Sequence, residues 1–139
     1  MENLSSYFMK EQEYYLDSIS YERIDQIIGT TEVQMLCTDT VEAKEIEGEK
    51  VIINVTRKVS FSPEILFDLS ISYGAILKFN DNKRDVDWTS IDLSGEFKEN
   101  GSFVTDNLFR RISLLVGEIT SSFGQPPIII PPQIIIGNK

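Results

Sequence analysis

The chain has 139 residues, enough for one core and one domain, and its 13 basic and 22 acidic residues give a net charge of −9. All of the excess lies in residues 1–49, with 12 Asp/Glu against 3 Lys/Arg, so the surface repels nucleic acid and anionic membrane and favours a basic partner or simply keeps an assembly soluble. The lack of histidine removes the usual imidazole base and the common zinc sites, and the single cysteine, Cys37, excludes an internal disulfide and suits a reducing compartment.

The first residues, MENLSSYFMKEQEYY, lack the basic and apolar regions of a signal peptide, and no apolar run reaches membrane-spanning length. A cytoplasmic protein without membrane insertion is expected. Residues 1–12 are polar and expected to fray, with Tyr7 and Phe8 as anchors. Tyr14 to Glu22 is rich in strand formers, with Tyr15, Ile19 and Tyr21 on one side and Tyr14 and Leu16 on the other. Arg23 to Thr31 carries Ile24, Ile27 and Ile28 at helical spacing but is too short to stand alone, so it reads as a crossover loop.

From Glu32 the period becomes two. Val33, Met35, Cys37, Val41 and Ala43 alternate with polar residues, Leu36 being the exception, until Glu47, Gly48 and Glu49 form a turn. Val51 to Phe61 alternates likewise, with Arg57 intruding on the apolar side, and Pro63 ends the run. Ile65 to Phe79 is apolar at every odd position. Asn80 to Asp87 reads as a solvated turn. Trp88, Ile91, Leu93, Phe97 and Phe103 then recur irregularly, so residues 80–105 are packed but follow no assignable pattern.

Leu108, Ile112, Leu115, Val116, Ile119 and Phe123 recur at steps of three and four and predict an amphipathic helix from Asp106, with Arg110, Arg111, Ser113, Glu118 and Thr120 opposite. Thr105 or Asp106 caps its start and Gly124 its end. Pro126, Pro127, Pro131 and Pro132 bound two isoleucine triplets, so residues 125–139 form an extended apolar tail, packed on its own core or lying in a subunit contact or groove. The short turns make the last three strands an antiparallel meander with one buried face, which the long helix is expected to cover, an α+β arrangement.

Little chemistry is carried. Cys37 alternates with core residues and reads as a buried thiol. Glu42, Glu45, Glu47 and Glu49 lack calcium-loop spacing, Gly74 and Gly95 are isolated, and nothing singles out a carboxylate pair. No enzyme, cofactor or metal is expected.

Strand, crossover, three-strand meander, long helix and proline-bounded tail is an order that resembles the SecB family of export chaperones. The likeness is carried by DSISYE (Asp17 to Glu22), ILFDLSISYGAILKF (Ile65 to Phe79) and LFRRISLLVGEITSSFGQPPIIIPP (Leu108 to Pro132), and covers about Tyr14 to Ile136. It implies an α+β fold, a four-stranded antiparallel sheet with one long helix packed on one face, and a dimer or tetramer with helices between sheets. It also implies capture of unfolded polypeptide in apolar grooves, for which Ile27, Ile28, Trp88, Ile134 and Ile135 are the candidates. The family continues into a further C-terminal helix where this chain ends in GNK. Docking on the motor SecA uses acidic outer-face residues in that family. Glu22 matches one such position and Asp17 lies one place from another, but Ser70 stands where a third acid is expected. Two other readings stay open: a chaperone dedicated to one client such as an antitoxin, and an acidic adaptor for one folded partner.

Overall fold

A computed structural model describes residues 3–24, 34–62 and 66–122. Four strands, β1 (Phe8–Ile24), β2 (Gln34–Ile46), β3 (Lys50–Ser62) and β4 (Leu66–Phe79), form one antiparallel sheet in the order β1-β4-β3-β2, a Greek-key arrangement. The two strands with the cleanest alternation, β3 and β4, are the central ones. Val51, Ile53, Val55 and Val59 of β3 and Leu69, Ile71, Ala75 and Leu77 of β4 are buried under helix α2 (Ser102–Ser121). The turn between β2 and β3 takes Glu47 and Gly48 through the left-handed region (φ 53 and 67), the conformation that matches the twist of a tight hairpin.

The long helix starts four residues before the expected Asp106. Val104 is in phase with Leu108 and Ile112 and is fully buried, so packing extends the helix backwards; Thr105 lies buried in its first turn rather than capping it. Thr120, expected on the polar side, is also buried. Its hydroxyl donates to the Val116 carbonyl (2.7 Å), which satisfies it without water. A second helix, α1 (Leu93–Asn100), which the irregular spacing did not reveal, is capped by Asp92 and inserts Leu93 and Phe97 into the core.

Gly101 joins the two helices, and a Cβ there would overlap the backbone of Phe97. Main chain inside a helix cannot move aside, so Gly101→Ala is expected to destabilise the fold by about 1–3 kcal/mol, measured as a lower urea midpoint at unchanged slope.

Residues 3–12 are ordered, contrary to the expected fraying. Leu4, on a 3-10 turn (Leu4–Tyr7), and Phe8 are buried in the core, and the Asn80 side chain donates to the carbonyls of Ser6 (2.8 Å) and Phe8 (3.2 Å). The first strand therefore begins at Phe8, and it runs through Arg23 and Ile24, which by sequence belong to the crossover loop. Its sides also differ from the simple alternation. Leu16 pairs with Tyr73 and Ser18 with Ser72, so Asp17 is an extra residue, a bulge that reverses the parity. Tyr14 and Leu16 before it, and Ile19 and Tyr21 after it, therefore share the helix-covered face, while Tyr15 lies on the outer face over Gly74.

Candidate functional site

Among the described residues, a charged pair lies on the apolar face. Asp39 and Arg57 stand directly opposite each other on β2 and β3, both side chains fully buried, with Arg57 Nε donating to Asp39 Oδ1 and Nη2 to Oδ2, each at 2.8 Å. Arg57 Nη1 also donates to Ser113 Oγ (3.0 Å), and its guanidinium lies 5.0 Å from the Phe109 ring. The intruder noted in the sequence thus ties β2, β3 and α2 together. On its other flank α2 meets β1, where Asn107 Nδ2 donates to the Tyr14 hydroxyl (3.2 Å) and Arg111 stacks 4.7 Å from the Tyr14 ring.

The cover given by the helices is incomplete at the edges of the sheet. At the end where β1 and β3 stop and β2 and β4 begin, Tyr21 (40 % exposed), Met35 (42 %), Leu36 (37 %) and Leu66 remain accessible. Tyr21, Phe67 and Phe61 form an aromatic run there, with ring centroids 5.6 and 5.1 Å apart. Leu66 holds φ at 69°, a left-handed conformation that costs a bulky residue on the order of 1–2 kcal/mol. On the outer face at the same end, Ser20, Glu22, Leu36, Lys58, Ser60 and Asp68 help to line a cleft of about 650 Å³.

The outer edge of β2 adds main-chain groups. The Ala43 amide donates to Ser94 Oγ (3.0 Å), and that hydroxyl also faces the Ala43 carbonyl (3.4 Å), so α1 closes the edge at this point. Strand parity turns the amides and carbonyls of Val41, Asp39, Cys37 and Met35 the same way. Among the described residues, no further strand pairs with Met35 or Cys37 on that side. Burial, then the neighbouring Asp39 carboxylate, raises the pKa of the Cys37 thiol, with Arg57 opposing, which disfavours a nucleophilic thiolate.

The candidates read from the sequence divide three ways. Ile27, Ile28, Ile134 and Ile135, the tail and the Gly124 cap lie outside the described residues. Trp88 is 8 % exposed, packs against Tyr7, Phe8 and Phe79, and donates its indole N–H to the Lys83 carbonyl (2.8 Å). It packs into the aromatic cluster at the far end of the core, with its only polar atom satisfied internally. Asp17 and Glu22 are exposed but are not brought together: Asp17 sits at the bulge, accepting from Asn54 Nδ2 (3.1 Å), five residues from Glu22. Glu22 instead stands opposite Asp68, two rungs from Ser70, so an acid does face outward on β4 at the next outer-face position after the one that lacked it.

Sequence reasoning did not select Tyr21, Met35 or Leu66. Leu36 carried a usable signal, an apolar residue out of phase with its strand.

A search of solved structures places the SecB-like chaperone Rv1957 of Mycobacterium tuberculosis, in complex with a ChAD peptide from the HigA1 antitoxin Rv1956, at a TM-score of 0.68 over 91 % of both chains and 10 % identity. This chain has the SecB-like fold. The match extends over sheet and helices at an identity too low for residue roles to be carried across. A protein of unknown function from Streptococcus agalactiae aligns over 86 % of this chain and 94 % of its own at 12 % identity, with a TM-score of 0.41. No family model and no curated protein matches the sequence. Within the SecB-like fold the described residues include no cluster of metal-ligating side chains and no helix long and apolar enough to cross a membrane.

Proposed function

We propose that this chain is a non-enzymatic, cytoplasmic chaperone that holds extended, unfolded polypeptide at the open end of its sheet. The observation that carries the reading is the start of β2, where Met35 and Leu36 present apolar side chains on opposite faces of a strand whose Met35 and Cys37 main-chain groups point outward. An extended client can add its backbone to such an edge while alternate side chains enter the apolar surface beside Tyr21, Phe61 and Phe67. Affinity then comes from buried apolar area and main-chain pairing, with no nucleotide or metal in the cycle. Delivery of preproteins for export is the wide form of this function. Service to a single client, such as an antitoxin segment, is the narrow form, favoured by the peptide bound to the SecB-like neighbour.

Light scattering coupled to size-exclusion chromatography, with a permanently unfolded polypeptide added, tests the reading. Co-elution should survive about 0.5 M salt, where exposed charges are screened to within a few ångströms. Loss of the complex in salt would point instead to an acidic adaptor. Absence of any complex with an unfolded chain would remove the wide form and leave a single dedicated client.

A further inference from the structure

Met35 carries a thioether at the corner of the surface assigned to clients, on an exposed side chain of the β2 edge. It stands directly opposite Phe61, whose ring meets Phe67 and through it Tyr21, so the sulfur-bearing position ends the aromatic row. Cys37 follows on the same face but is half-buried, and burial with the Asp39 carboxylate keeps its thiol protonated and slow to oxidise. A thioether needs no deprotonation to react. Met9, also exposed, lies at the opposite end of the sheet, near the start of β1.

We propose that Met35 is a reversible oxidation site that shuts the client surface when a peroxide is present; the proposal deepens the chaperone reading and rests on it. The sulfur lone pair attacks one oxygen of hydrogen peroxide and the O–O bond breaks. The departing hydroxide takes the proton from the transferred oxygen and leaves as water, so sulfur gives up two electrons and the peroxide gains them. The product is a sulfoxide, a polar acceptor on a side chain of nearly the same length. In the free protein an exposed sulfoxide stays hydrated, so the fold loses little. A bound client strips that water and sets the oxygen among apolar side chains without a donor, so the cost falls on the complex. Methionine sulfoxide reductase, whose thiols return two electrons and release the oxygen as water, resets the site.

Peroxide treatment of the full chain tests it, with oxygen addition at each methionine read by peptide mass spectrometry. Anisotropy of a labelled, permanently unfolded peptide follows binding. Affinity should fall about ten- to a hundredfold in step with sulfoxide at Met35, the effect of burying an unsatisfied acceptor. It should stay low in dithiothreitol, which reverses disulfide and sulfenic acid formation at Cys37, and return with methionine sulfoxide reductase. M35L should lose nothing on treatment relative to its own untreated binding, whereas M9L should lose as much as wild type. M35Q, neutral and polar at similar length, should bind weakly without oxidant and keep its circular dichroism spectrum. Unchanged binding with sulfoxide present at Met35 overturns the inference and leaves the chaperone reading standing, as does an equal loss in M35L. An untreated wild-type protein that binds no unfolded peptide removes that reading and the inference with it.

Discussion

Asp39→Asn is expected to be the most damaging conservative substitution in this protein, lowering stability by about 3–5 kcal/mol, a large share of the 5–15 kcal/mol that holds a typical domain folded. The guanidinium of Arg57 has no exposed surface, and the Asp39 carboxylate meets two of its nitrogens at 2.8 Å. An amide keeps the shape but leaves a full positive charge in the core facing a weak dipole. Ser113 and the Phe109 ring are neutral contacts and do not replace the lost carboxylate. The double variant Asp39→Leu with Arg57→Met should recover most of the loss, since replacing a buried pair by apolar groups of similar volume is often neutral or stabilising. Urea unfolding followed by circular dichroism measures both. A single variant within about 1 kcal/mol of wild type would show that water reaches the pair and that its cost has been overstated.

Client capture should fall by about ten- to a hundredfold in Leu36→Asp with Met35→Asp, as expected when a small apolar anchor is lost from a binding surface, with the fold intact because both positions are more than a third exposed. Main-chain pairing can be separated from side-chain contact by strand parity. The Cys37 amide points away from β3, so Cys37→Pro removes an edge donor and leaves the β2–β3 ladder in place. The Thr38 amide points into that ladder, and Thr38→Pro should disrupt the strand instead. Fluorescence anisotropy of a labelled unfolded peptide, with circular dichroism as control, reads the contrast. Equal binding by wild type and Cys37→Pro would mean that the client does not add a strand to this edge.

The site was only partly legible in the sequence, for a reason that individual residues make plain. Trp88 is a groove candidate in the sequence, in a connection without assignable period, yet the cluster that buries it comes from Tyr7, Phe8 and Phe79, and Tyr7 and Phe8 are far away in the chain. Tyr21 and Met35 looked like core because they lie in alternating strands. What exposes them is position: β1 and β2 are the edges of the sheet, and α2 sits over the two strands between. Glu22 was legible as an outer-face acid, while its partner across the rung, Asp68, became apparent only with the β1–β4 register.

Local periodicity by itself determined β3, β4, the hairpin at Gly48 and the stripe of α2, because a strand or helix with one buried face must repeat its apolar residues at its own geometric period. Tertiary structure alone decided the rest. The bulge at Asp17 redirects half of β1, the aromatic cluster draws Leu4 and Phe8 out of an apparently frayed end, and Asp39 meets Arg57 across a ladder. Each of these depends on contacts between residues distant in the chain, and the free energy of such contacts is absent from any single window of sequence.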